Sequence, residues 1–218
     1  MEMKTLFITL KTSHPVEEDA SKLRGFIGNK FPDYPILHHH ISDVGFLYTY
    51  PKVQYKIIEG TPIILGIEEG AEVVKEISEK IDELTLGKQT YRTLEKQIFE
   101  KIEEFGKVKE YKQYKFITPW LALNEKNYGK YKDLDRKNQI LLLHKILIGN
   151  VLSIAKAFDY VVLSKIGVRT KIKPINVQSK GISLVGFTGE FQVNFDLPDL
   201  IGIGKSVSRG FGTVKRID

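Results

Sequence analysis

An α+β protein with antiparallel sheets, built as two tandem ferredoxin-like halves, is the architecture predicted for this 218-residue chain. Three observations predict it. Apolar residues alternate along several short segments, as on strands with one buried face. Others recur at helical spacing along single stripes. The two kinds of segment follow the order β-α-β-β-α, which then begins again. No sequence repeat marks the two halves, so a single larger α+β domain also accounts for the pattern.

The first strand is expected over Lys4 to Lys11, with Leu6, Ile8 and Leu10 on one side. A helix should follow, capped by Ser13, with Pro15 in its first turn and Val16, Ala20, Leu23 and Ile27 along its stripe. Gly28, Asn29 and Pro32 should stop it. Beyond a loop rich in Pro and His, Val53 to Ile58 and Thr61 to Ile67 form a hairpin around Glu59-Gly60. A second helix starts at Gly70 and buries Val74, Ile77 and Ile81, with more extended chain after it.

The domain boundary is expected near Gly106, giving residues 1–106 and 107–218. In the second half, Lys107 to Leu123 is strand-like. The longest helix runs from Asp135 to Phe158, where Ile140, Leu143, Leu147, Val151, Ile154 and Phe158 recur every three or four residues. Tyr160 to Val168, Thr170 to Val177, Ile182 to Phe187, Glu190 to Phe195 and Thr213 to Ile217 are the remaining expected strands.

Composition narrows the function classes. Hydrophobic residues at 42% and charged residues at 28% describe a folded globular chain. Lys and Arg number 33 against 27 Asp and Glu, a net charge of +6, which suits a polyanionic partner if the cations cluster and a solvated surface if they do not. Cysteine is absent, which excludes disulfides, thiol nucleophiles and thiolate zinc sites and points to a reducing, cytoplasmic setting. No apolar run approaches the ~20 residues of a membrane span, and the N-terminus lacks the pattern of a signal peptide.

Two segments carry candidate chemistry. In Gly202-Ile203-Gly204-Lys205-Ser206-Val207-Ser208-Arg209-Gly210-Phe211-Gly212, glycines permit close backbone approach to a phosphate. Lys205, Ser206, Ser208 and Arg209 add donors, and Phe211 can stack on a base. Gly-Lys-Ser here is not a nucleotide-binding P-loop, because Asp199 stands where that motif needs a glycine. The bland alternative is a flexible connection between strands.

The second segment is His38-His39-His40, followed by Tyr48, Tyr50 and Lys52. In an extended chain His38 and His40 share one side and His39 faces the other. Imidazole, with a pKa near ~6.5, can take a proton from a ribose 2′-hydroxyl and return one to a leaving 5′-oxygen without a metal. A metal site would need carboxylate ligands beside the histidines, and a structural loop is the other alternative. His144 sits at the edge of an apolar stripe and is better read as a core histidine, and His14, beside Pro15 at a helix start, as a local structural or surface residue. On one expected strand Arg169, Lys171 and Lys173 share a face suited to an RNA backbone. Lys109 to Phe116 interleaves lysines with Tyr111, Tyr114 and Phe116, as either an RNA surface or a solvated edge strand would.

Three groups of residues together, Leu23-Arg24-Gly25-Phe26-Ile27-Gly28-Asn29, Tyr50-Pro51-Lys52-Val53-Gln54-Tyr55-Lys56 with Gly66-Ile67, and the closing Gly202 to Gly212 segment, resemble a known family. It is the CRISPR-associated endoribonucleases of the RAMP superfamily that process repeat RNA, in the branch with an His-x-His segment and a C-terminal glycine-rich loop. The resemblance implies tandem ferredoxin-like, RRM-like domains and cleavage of CRISPR repeat RNA, single-stranded or hairpin, leaving 5′-hydroxyl and 2′,3′-cyclic phosphate ends. No metal or cofactor is implied.

His40 and His38 fall at the His-x-His positions, and Gly202, Gly204, Gly210 and Gly212 in the glycine-rich loop. Tyr48 and Lys52 are candidates to assist, as tyrosine and lysine do in some members. Some relatives bind RNA without cutting it, so a non-catalytic RNA-binding protein or a structural subunit of a CRISPR ribonucleoprotein is the alternative. The expected partners are the repeat RNA and a CRISPR interference complex, with the chain acting as a monomer or homodimer.

Overall fold

The structure is a computed structural model that describes residues 1–38, 50–179 and 181–217. The chain forms two compact units. The N-terminal unit comprises Glu2–Glu103 together with Val207–Gly210, and the C-terminal unit Glu104–Ser206 with Met1 and the segment from Phe211 on.

In the N-terminal unit β1 (Glu2–Thr12), α1 (Ala20–Lys30), the single turn α2 (Pro35–His38), β2 (Val53–Ile58), β3 (Thr61–Ile67), α3 (Glu69–Ser78), β4 (Glu83–Leu86) and β5 (Gln89–Glu104) follow one another. Its sheet has the order β2-β3-β1-β5-β4. The β2–β3 hairpin turns at Glu59 and Gly60, both with positive φ, as a two-residue hairpin requires. Leu6, Ile8, Leu10, Val53, Tyr55 and Ile64 bury one sheet face against Leu23, Ile27, Val74 and Ile77 of the helices.

Helix α1 begins later than expected. Asp19, not Ser13, caps it, its carboxylate accepting from the Ser21 N–H at 2.8 Å and the Lys22 N–H at 3.4 Å. Pro15 and Val16 are held by the hairpin turn instead, the Val16 N–H donating to the Gly60 carbonyl at 2.8 Å. Gly28 does not stop the helix but lies inside it.

In the C-terminal unit β6 (Gly106–Trp120), α4 (Glu125–Asp133), α5 (Arg136–Ala157), β7 (Val168–Ser179), β8 (Ile182–Asp196) and β9 (Val214–Arg216) build a sheet of order β7-β8-β6-β9. Both sheets thus place their first strand between third and fourth, the ferredoxin-like order, with β4 added at one edge. Where α3 follows the hairpin of the N-terminal unit, β8 and β9 are joined by a long connection holding the glycine-rich segment and one 3-10 turn, Val207–Arg209.

Three sequence expectations change here. Residues 160–167 are not a strand; β7 starts at Val168, while the Tyr160 hydroxyl accepts from the Lys107 N–H at 2.9 Å. The expected strands Ile182 to Phe187 and Glu190 to Phe195 are one strand, continuous through Gly189, whose φ of 125° lets it pass close to the Lys171 carbonyl. Helix α4 has no signature in the sequence, because it buries no residue and so carries no stripe.

Helix α5 packs Leu143, Leu147, Val151 and Ile154 inward. His144 bonds the Thr170 hydroxyl across to β7 at 3.0 Å, and partial burial lowers its pKa, in keeping with a structural histidine. By length and composition alone these 22 residues are apolar enough to cross a membrane, contrary to the expectation that no run approaches a span.

Candidate active site and nucleic-acid interface

One stripe of α1, Ala20, Arg24 and Gly28 at four-residue intervals, organises the site in the N-terminal unit. At its far end the His38 ring occupies the space where a Cβ on Gly28 would stand, 2.6 Å from that position. In the middle, an Arg24 Nη2–H donates to the His38 carbonyl. The buried Tyr55 hydroxyl donates to the Leu37 carbonyl at 3.2 Å. A one-turn helix leaves its last carbonyls without internal partners, so two side chains from other elements complete the end of α2 and hold His38 in place.

At the near end the tip of the glycine-rich segment arrives. The 3-10 turn Val207–Arg209 packs on α1 and β2. A Cβ on Gly210 would meet the Ala20 Cβ at 3.0 Å and the Tyr55 carbonyl oxygen at 3.1 Å. Arg209 thereby comes within electrostatic range of Arg24; burial first, and Arg209 second, lower the Arg24 pKa from its ordinary value. No carboxylate pairs with either guanidinium among the described residues. Two adjacent cations beside a histidine, without a counter-ion, suit a phosphate. Sequence alone does not single out Arg24: at a spacing of four from Ala20 it looks like any polar residue beside an apolar stripe.

The glycines of the segment lie close against the protein itself. Gly202, Gly210 and Gly212 are buried, and Gly204 is half-buried. Gly204, at φ 94°, lies where a Cβ would be 2.6 Å from the Trp120 indole nitrogen, and Gly212 where it would strike the Ile203 carbonyl. Gly202 bridges Thr213, and the Ile203 N–H donates to the Gly212 carbonyl at 2.8 Å. At Gly204, Gly210 and Gly212 the absence of a side chain permits close packing within the protein. The groups left at the surface are Lys205, exposed, and Ser206, Ser208, Arg209 and Phe211, half-buried. By its contacts Val207–Gly210 packs with the N-terminal unit, although the segment lies in the C-terminal half of the sequence.

His38 closes a helical turn, so the extended chain expected for the His segment does not hold at that residue. His39, His40 and Tyr48 lie outside the described residues. Lys52 pairs with Glu69 at the start of α3. Tyr50 accepts from the Gln54 Nε2–H at 2.8 Å, and Lys56 Nζ donates to Gln54 Oε1 at 3.1 Å. Complete burial of Lys56 lowers its pKa to about 7, yet the same burial keeps the amine from a substrate. His14 is exposed, its ring tilted against Tyr91 at 4.5 Å. Among the described residues no three His, Asp or Glu side chains converge as metal ligands.

In the C-terminal unit Arg169, Lys171 and Lys173 are exposed on β7, as their alternation predicts. The Arg169 guanidinium stacks over the Tyr111 ring at 4.7 Å.

The chain matches the family models for the Cas6b N-terminal domain over residues 1–104 and the Cas6b C-terminal domain over residues 106–217. A solved structure of Cas6b is 36% identical, covers 100% of both chains and superposes with a TM-score of 0.93. A second, of CRISPR RNA processing endoribonuclease Cas6b, is 33% identical over 100% of both chains with a TM-score of 0.81. An uncharacterized protein of Methanocaldococcus jannaschii is 46% identical over 144 residues, 66% of this chain and 98% of that protein. With both halves matched by the paired domain models and the whole chain by the solved structures, the chain belongs to the Cas6b family.

Proposed function

We propose that this protein is a metal-independent endoribonuclease that cuts precursor CRISPR RNA within its repeats. The observation that carries the reading is the meeting of His38, Arg24 and Arg209, drawn from distant parts of the sequence, on one face of α1. An imidazole of the His segment, His40 with His38 as partner, takes the proton of the 2′-hydroxyl beside the scissile phosphate. The 2′-oxygen forms a bond to phosphorus, the bond to the 5′-oxygen breaks, and an imidazolium returns a proton to that oxygen. A 2′,3′-cyclic phosphate and a 5′-hydroxyl result. Arg24 and Arg209 offset the charge that accumulates on the phosphate oxygens. Tyr48 and Lys52 are secondary candidates, and the surface groups of the glycine-rich loop, Lys205, Ser206, Ser208 and Phe211, bind RNA. The protein acts in the cytoplasm, as a monomer or homodimer, and supplies guide RNA to a CRISPR interference complex.

The test is single-turnover cleavage of end-labelled repeat RNA in excess chelator, beside the same RNA with one deoxy substitution 5′ of the scissile phosphate. The expected result is one defined product from the RNA and none from the deoxy substrate, which still binds. Cleavage of the deoxy substrate, or loss of cleavage in chelator, overturns the mechanism. Binding without any product points to the non-catalytic alternative.

A further inference from the structure

The C-terminal sheet has one face that its helices do not use. Thr170 of β7 meets His144 of α5, and Phe187 of β8 lies under Tyr131 of α4, so these residues point to the helical side. Their neighbours in sequence point the other way. On that side the register places Lys171 opposite Glu190, Glu190 opposite Lys115, and Lys115 opposite Lys215, one straight row across all four strands. Arg169 and Lys173 flank Lys171 along β7, about 6.7 Å away on either side at the usual strand rise. All five cations are exposed.

Two features of this row are hard to account for as mere solvation. Lys115 and Lys215 are directly opposed like charges, an arrangement that costs stability in a sheet. The carboxylate within the row, Glu190, accepts a hydrogen bond from Gln113 Nε2 at 3.2 Å, and no ion pair joins any of the five cations to a carboxylate among the described residues. Beside the cations stand groups suited to bases: the Tyr111 ring, and the amides of Gln113 and Gln192. Further along the hairpin the same face turns apolar, with Ile182 and Leu184 exposed. A flat surface of phosphate partners, ring and amides fits a single strand, whose bases are free to lie on it, better than a duplex, which presents its backbone.

We propose that this open face is a second binding surface, in the C-terminal unit, for an extended single-stranded segment of the substrate RNA, with Lys171, Lys115 and Lys215 holding its phosphates. This rests on the reading of the ligand as RNA, and it is separate from the His segment. Sequence alternation exposed only the β7 part; Lys115 and Lys215 join it through strand pairing.

The experiment uses the full chain with Lys171→Gln, Lys115→Gln and Lys215→Gln combined, and a single-stranded repeat RNA made uncleavable by the deoxy substitution. Affinity is measured across a salt series. The slope of log affinity against log salt is expected to flatten by about 0.7 per lost contact, or about 2 for the triple variant. Its melting temperature should stay close to the parent's, since one like-charge pair and two opposite-charge pairs across Glu190 are removed together. A parental salt slope overturns the proposal. An equal loss of affinity for a duplex RNA of the same length overturns the single-strand assignment. If the parent binds but does not cut the all-ribose form of this RNA while the triple variant binds weakly, the active-site reading fails and this one stands; cutting of the all-ribose RNA by a triple variant that binds like the parent gives the reverse.

Discussion

The two units share a strand order but use the face away from their helices in opposite ways. In the N-terminal sheet that face carries Thr5, Gln54, Lys56, Leu65 and Ile67, all buried, with a polar chain from Tyr50 through Gln54 to Lys56 closed by hydrogen bonds. In the C-terminal sheet it carries Arg169, Lys171, Lys173, Lys115 and Lys215, all exposed. A ferredoxin-like sheet therefore does not itself determine where charge is tolerated. A buried lysine loses its proton readily, whereas an exposed one keeps it and awaits an anion. The N-terminal unit also gathers His38, Arg24 and Arg209 on α1, so proton transfer is expected there and sequence-tolerant binding on the other sheet.

The largest test of that division is His40→Ala. Single-turnover cleavage should fall about 10²- to 10⁴-fold while affinity for repeat RNA stays close to the parent's. An affinity loss that accounts for the whole rate loss would move His40 from chemistry to binding.

A smaller effect distinguishes the buried lysine from the exposed ones. The Lys56 pKa lies at about 7 in the folded protein against an ordinary 10.5. Between those values the unfolded chain holds a proton that the folded chain lacks, so stability rises with pH across the window. The penalty is absent above the upper value and fully present below the lower one. Denaturant unfolding at several pH values in this window should show a slope of up to about 1.4 kcal/mol per pH unit from this group. Lys56→Met should remove that slope and be more stable than the parent at pH 7. A parent whose stability does not depend on pH in this window would show that Lys56 is not buried as a neutral amine.

The smallest effect concerns the loop tip. Gly210→Ala places a Cβ at 3.0 Å from the Ala20 Cβ with φ at 85°, and should destabilise by about 1–3 kcal/mol in thermal or denaturant melts. Gly25→Ala, on the same helix as Ala20 but with nothing within 4 Å, should stabilise by up to about 1 kcal/mol. Equal effects at the two positions would mean that the tip does not seat on α1.

Elements with a strong period were legible. The stripe of Leu143, Leu147, Val151 and Ile154 announces α5, and the alternation in β1 and the Glu59-Gly60 turn announce the first sheet. Helix α4 was not, since a surface helix that buries nothing leaves no pattern. The start of α1 was misplaced because Ser13 and Asp19 are both good caps, and the hairpin turn that holds Val16 decides between them. At the candidate site the histidines and the glycine segment stood out by residue type. Arg24 did not, because its role depends on His38 and Arg209 arriving from elsewhere.

The sequence by itself determined the α+β class, the β-α-β-β-α order of the first half, the absence of thiol chemistry, and the two segments that carry candidate chemistry, because these depend on residue type and local period. Only the tertiary structure decided which units the pieces join. It seats Val207–Gly210 on α1 and gives the glycines a packing role. It also lines Lys171, Lys115 and Lys215 across four strands. Local period fixes which way a side chain points along its own strand, but register between strands far apart in sequence comes from the packing of the whole sheet, and that information is spread over the chain.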